Sequence, residues 1–141
     1  MMDIQSGKAV IPMLHADWVS RLRLPIVCAP MFLITSPAMV VAACRAGIVG
    51  AVPAANARPI KKLETWLLEI TKTLELDDPA SLGPWALNLM THRSNSRLGE
   101  ELELVERFRP PLVITALGSP RPVIDIVRKY GGMVIADVPN P

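Results

Sequence analysis

Three places in this chain pair a residue type with a location where chemistry is done. The first is the step Ala29-Pro30-Met31, which closes a near-continuous apolar run, Leu24 to Ala29, where open α/β sheets and α/β barrels place their ligands. Pro30 either begins a site there or only stops a strand. The second is Asn88, an amide inside the apolar run Trp85 to Met90 (WALNLM). A buried strand interior has little use for an amide unless something satisfies it, so Asn88 either reaches a ligand or hydrogen-bonds a neighbouring loop. The third is the loop Leu117 to Pro120, where Gly118 and Ser119 can present backbone amides.

The elements that must position these residues are legible from periodicity. Leu24 to Ala29 and Ile48 to Val52 read as strands, the first buried on both faces. Between them Ser36 supplies an N-cap oxygen and Pro37 a first-turn residue, the helix runs to Ala46, and Gly47 offers a left-handed C-cap. Ala38, Ala42, Ala43 and Ala46 make that helix small-sided, so its backbone is expected close against a parallel sheet. A loop, Ala54 to Pro59, leads to a helix from Pro59 to Leu76. Its stripe is Ile60, Leu63, Leu67, Ile70 and Leu74, and Lys61, Lys62, Glu69 and Lys72 form a solvated face.

Asp77 to Pro84 is a connector to the third strand, Trp85 to Met90, and the polar loop Thr91 to Ser96 follows. The next helix spans Arg97 to Arg109, with Leu98, Leu102, Val105 and Phe108 inward and Glu100 and Glu101 near its positive amino end. Leu112 to Ala116 is a fourth strand. Pro122 starts a helix to Tyr130, Gly131 and Gly132 end it, and Met133 to Val138 is the fifth strand. Five strands alternating with four helices argue for an α/β fold with a parallel sheet. Residues Met1 to Arg23 read as a lead-in, with a helical turn around Asp17 to Leu22.

Composition narrows the class. Half of the 141 residues are hydrophobic and 20% are charged, which excludes a disordered chain and argues for a soluble one. A net charge of +2 gives no strong field for nucleic acid or an anionic membrane. Arg45 and Pro37 interrupt the longest apolar candidate before the roughly 18 residues of a membrane span. Met1 to Lys8 lacks the order of a secretion signal. Cys28 and Cys44 have no CxxC spacing, and His15 and His92 lie far apart in sequence. Reduced thiols in a cytoplasmic protein, without a metal, are the expectation.

The ordered segments LPIVCAPM, SPAMVVAACRAGIVGAV, WALNLMTHRSN, PLVITALGSP and YGGMVIADV resemble the amino-terminal half of the nitronate monooxygenase family, formerly called 2-nitropropane dioxygenases. The resemblance implies the first part, residues 24–141, of a TIM (β/α)8-type barrel truncated at its carboxyl end, since the whole fold needs about 250 residues. It implies flavin mononucleotide (FMN) as cofactor and oxidation of alkyl nitronates or nitroalkanes with dioxygen to a carbonyl compound and nitrite. The backbone at Ala29, Pro30 and Met31 would lie against the flavin, Asn88 and Asp137 would contact it, and His92 and Ser119 would line the substrate mouth. His92 reads equally as a solvent-exposed loop residue. Many members carry a histidine before the fifth-strand aspartate, where this chain has Ala136. The family's catalytic histidine belongs to a later segment, so no catalytic residue is assigned. Two other expectations stand beside this one: a nicotinamide-linked enoyl-thioester reductase of the same fold, and a non-catalytic half-barrel that self-associates as a homo-oligomer.

Overall fold

Short apolar runs and amphipathic helices alternate along the whole described chain. The structure, a computed structural model, describes residues 19, 20 and 22–137. β1 (Val27–Cys28) leads through α1 (Pro37–Arg45) to β2 (Val49–Pro53). A 3-10 turn, Ala54–Asn56, precedes α2 (Ile60–Leu74) and β3 (Trp85–Met90), and α3 (Leu98–Phe108), β4 (Leu112–Ala116), α4 (Arg121–Lys129) and β5 (Met133–Ala136) complete the order. Every neighbouring strand pair is parallel, and the sheet order is β1-β2-β3-β4-β5. A doubly wound sheet reverses its order at a switch point, whereas this one never does, as in a β/α barrel. Five parallel strands alternating with four helices thus form a partial TIM-barrel-like α/β fold.

The two-residue period of a strand sorts its side chains into two layers. On the helix side, Val52, Leu87, Leu89 and Val113 join Leu63, Leu67, Ile70, Val105, Val123 and Val127 in one buried cluster. On the other side Val49, Ala51, Ala86 and Leu112 make a smaller cluster, with Leu22, Ile114 and Met133 packed against it. That second layer corresponds to the interior of a barrel, and it is thinly covered: Val27 is 45% and Ile135 37% exposed.

The local signals explain the element ends. Ser36 Oγ accepts the Met39 N–H at 3.4 Å with Pro37 in the first turn, and Gly47 adopts φ 76°, the left-handed stop expected of it. Gly131, at φ 80°, does the same after α4. The α2 stripe buries Leu63, Leu67, Ile70 and Leu74 as its spacing predicts, with Ile60 half-buried.

Three expectations need correction. The strand read over Leu24 to Ala29 pairs only at Val27 and Cys28 and is not buried on both faces. Among the described residues β1 is an edge of the sheet and pairs with β2 alone, and the Ile26 N–H turns back onto the Leu24 carbonyl at 2.8 Å instead of joining a ladder. In α1 the alanines Ala38, Ala42 and Ala46 face outward, and Val40, Val41, Ala43 and Cys44 are buried. The close approach comes from the sheet: a Cβ on Gly50 would lie 2.5 Å from the Val40 carbonyl oxygen. In α3 the fully buried positions are Glu101, Leu104 and Val105, while Leu98, Leu102 and Phe108 are half-buried. The inward stripe is rotated to include a carboxylate because Arg97 and Asn95 satisfy it. Most of the lead-in, His15 and Val138 lie outside the described residues. Among the described residues no helix is long and apolar enough to cross a membrane.

Candidate functional site

Parallel strands deliver the residues that follow them to one end of the sheet. Ala29, Pro30 and Met31 follow β1, Asn88 lies in β3, His92 follows β3, Ser119 follows β4 and Asp137 follows β5. All of the residues singled out from the sequence therefore share the carboxyl end.

The loop after β1 is held by two side chains. Thr35, 2% exposed, accepts the Met31 N–H on Oγ1 at 2.9 Å and donates that hydroxyl to the Ala29 carbonyl at 3.3 Å. Asn56, in the 3-10 turn after β2, donates Nδ2 to the carbonyls of Met31 and Thr35, both at 3.0 Å. Its Oδ1 accepts the Leu33 N–H at 2.8 Å. Leu33 has φ 62°, a left-handed conformation that costs a branched side chain about 1–2 kcal/mol and needs outside support. Phe32, Leu33 and Ile34 all project large apolar side chains into solvent here.

Asn88 sits on the barrel-interior side of β3, in register between Pro53 of β2 and Ile114 of β4. Its Nδ2 donates to the Ile114 carbonyl at 3.2 Å. Oδ1 takes no partner among the described residues. The alternative read from the sequence is a bond to a neighbouring loop; the partner is instead the adjacent strand β4, and the bond uses only part of the amide.

The loops after β3 and β4 lie against each other. A Cβ on Gly118 would fall 2.6 Å from the Thr91 carbonyl carbon and 2.8 Å from the His92 nitrogen, so glycine permits the contact. His92 is exposed, and its Nδ1 meets the Ser94 hydroxyl at 2.8 Å and accepts the Ser94 N–H at 3.2 Å. An N–H donor pointing at Nδ1 requires that nitrogen to be unprotonated, which places the ring proton on Nε2. Ser119 Oγ accepts the Arg121 N–H at 3.3 Å at the start of α4. Asp137, which is exposed, donates its backbone N–H to the Thr115 carbonyl at 2.8 Å just past β5.

Beneath the β3 loop lies a charged network that periodicity does not reveal. Glu101, 3% exposed, receives Asn95 Nδ2 at 2.9 Å and Arg97 Nη2 at 3.4 Å. Asn95 Nδ2 also donates to the Met90 carbonyl, and Arg97 Nη2 to the Ala57 carbonyl at 3.0 Å. The spacing of Arg97 and Glu101 by four residues is the available signal, but Glu101 reads as a surface complement to the helix dipole. Asn56 and Thr35 give no signal, because each bonds across a loop that hydrophobic periodicity does not describe.

Fold and residues together define a β/α half-barrel with a polar mouth. No family model and no curated protein sequence matches the chain. Solved structures do match. FabK from Thermotoga maritima aligns at TM-score 0.70 and 20% identity, over 87% of this chain and 36% of its own. The enoyl reductase domain of MlnA, from the macrolactin biosynthesis cluster of Bacillus amyloliquefaciens, aligns at TM-score 0.74 and 20% identity, over 89% of this chain and 31% of its own. This chain therefore shares a fold with these proteins and spans about a third of the length of each of these two solved chains.

Proposed function

We propose that this chain forms part of a flavin-dependent oxidoreductase and supplies the bed on which FMN lies, across the carboxyl ends of β1 and β3. The observation that carries the reading is Asn88. A half-buried amide stands in the apolar row Pro53, Asn88, Ile114 with its Oδ1 unpartnered, as an acceptor for a ring N–H would be. Residues at the mouth fit the same group: Ala29, Pro30 and Met31 offer a backbone surface stiffened by Thr35 and Asn56, and Asp137 adds an acceptor. The flavin would supply the electron-transfer chemistry; the chain's residues bind it, orient it and keep the β1 loop in place. We assign no acid or base to them.

For the substrate, our first reading is an alkyl nitronate, oxidised with dioxygen to a carbonyl compound and nitrite, with His92 and Ser119 lining the mouth. A nitronate is already an anion, so its binding asks the protein for donors and not for a base; the Nε2–H of His92 is one. The second reading is nicotinamide-linked reduction of an enoyl thioester, favoured by the shared fold with the enoyl reductase domain of MlnA. Free thiols at Cys28 and Cys44 support a cytoplasmic setting. The exposed side chains Val27 and Ile135 on the thinly covered sheet face support self-association as a homo-oligomer, which light scattering reads directly.

The test is an absorbance spectrum after incubation with FMN and desalting. A retained, structured flavin band near one flavin per chain or per dimer is the expected result, and a colourless chain overturns the proposal that these residues suffice as a bed. With the loaded protein, anaerobic bleaching by a nicotinamide favours the enoyl-thioester reading, whereas oxygen uptake on adding a nitronate, without nicotinamide, favours the first.

A further inference from the structure

The polar loop after β3 is ordered by its own side chains, and it encloses space. A pocket of about 360 Å³ opens between this loop, Arg58 ahead of α2 and Leu117 after β4. Its charged walls are the side chains of Arg58 and Arg97, with His92, Ser94 and Ser96 beside them and no carboxylate among the lining residues.

Arg97 is held in place from behind. Glu101 takes Nη2 at 3.4 Å and the Ala57 carbonyl takes it at 3.0 Å, which fixes the plane of the guanidinium at the cost of one neutralised charge. Arg58 is exposed and has no partner among the described residues. Two guanidinium groups against the one buried carboxylate leave the pocket a net positive charge. His92 adds a donor, since Nδ1 is committed to the Ser94 N–H and the proton sits on Nε2. Ser96 contributes a hydroxyl. Guanidinium, imidazole and hydroxyl donors of this kind match the oxygens of a phosphate group. Met90 and Leu117 supply an apolar wall on the same pocket, so the phosphate would be borne on an organic arm.

We infer that this pocket is an anion subsite that receives the phosphate of a phosphorylated ligand at the carboxyl end of β3. It stands on the pocket's own geometry and does not depend on a flavin occupying the Asn88 bed. Several ligands share that chemistry: the phosphate of FMN, that of a nicotinamide dinucleotide, and that of a phosphopantetheine arm carrying a thioester.

The test is calorimetric titration of the 141-residue chain with inorganic phosphate at fixed ionic strength, with chloride as the competing anion. Saturable binding of phosphate over chloride, with movement of the His92 ring signals by NMR, is expected. Arg58→Gln should weaken it about tenfold, the worth of a charge-assisted hydrogen bond, with an unchanged melting temperature because Arg58 supports nothing else. Arg97→Lys is the second variant; it keeps a cation against Glu101 while losing the fork, and it should weaken phosphate as well. Phosphate that binds no better than chloride, or an Arg58→Gln chain that binds phosphate undiminished, overturns the inference. Among organic probes, whichever of FMN, NADPH or 4′-phosphopantetheine displaces phosphate one for one identifies the source, and each supports the subsite.

Discussion

Asn56 Nδ2 donates to the Met31 carbonyl at 3.0 Å across 25 residues of sequence, tying the turn after β2 to the loop after β1. The same side chain accepts the Leu33 N–H and donates to the Thr35 carbonyl, so one amide organises the segment whose backbone forms the candidate flavin bed.

Asn56→Ala should therefore lower stability by about 1–3 kcal/mol, because it leaves the Leu33 N–H and the Thr35 carbonyl without their partner, while the Met31 carbonyl keeps the N–H groups of Ile34 and Thr35. The local signature matters more than the size. Hydrogen exchange at the Leu33 amide should rise sharply while amides of β3 and β4 stay protected. Uniform acceleration across the sheet would show that Asn56 acts on global stability and not on the loop.

The approach of α1 to the sheet gives a second prediction. Gly50 lies against the Val40 backbone with no room for a methyl group, whereas Gly99 near the start of α3 has nothing within 4 Å. Gly50→Ala should destabilise by about 1–3 kcal/mol through overpacking. Gly99→Ala should stabilise by up to about 1 kcal/mol, since alanine gives up less backbone freedom in a helix. Chemical denaturation of the pair reads both signs.

Burial pushes the Cys44 thiol from its ordinary 9.0 up to about 11. Because the folded-state value is raised, the unfolded chain loses this proton first as pH climbs. Stability from Cys44 is intact below the ordinary value, then falls by about 1.4 kcal/mol per pH unit until the folded thiol itself ionises. Burial raises the Tyr130 hydroxyl too, with the same sign; it donates to the Pro110 carbonyl at 3.1 Å. Melting in a rising pH series checks the slope, and Cys44→Ala should flatten part of it. In the native state a thiol reagent should modify half-buried Cys28 first and reach Cys44 only on unfolding.

These effects also mark where sequence reading succeeds. Strands three and four are legible to the residue, because Trp85–Met90 and Leu112–Ala116 are short apolar runs between turn residues. Helix ends follow from Ser36, Pro37 and Gly47 for the same reason: the signal is local. What escapes is set by distant neighbours. β1 frays because it is an edge, a fact of topology that the apolar run Leu24 to Ala29 cannot carry. Glu101 is buried because Asn95 and Arg97 reach it, and a carboxylate near a helix start gives no hint of that. At the mouth, strand ends locate Ala29 to Met31 and Asn88, while the braces Thr35 and Asn56 and the cation Arg58 require three-dimensional contact to appear.

Asn88 separates structure from function in one substitution. Asn88→Leu places an apolar side chain of similar size in the row between Pro53 and Ile114, removes one hydrogen bond to the Ile114 carbonyl, and abolishes the unpartnered oxygen. The lost bond and the gained apolar burial oppose each other, so unfolding free energy should change by less than about 1 kcal/mol. FMN retention should nonetheless fall by about tenfold or more, since a ring N–H would then face a methyl group. Equilibrium denaturation and flavin fluorescence titration on the same samples decide it. If stability drops by several kcal/mol while flavin binding holds, Asn88 is a sheet-bracing residue and the bed lies elsewhere on the carboxyl face. If stability holds and flavin is lost, the amide stands in that apolar row for its ligand, since the fold does not require it there.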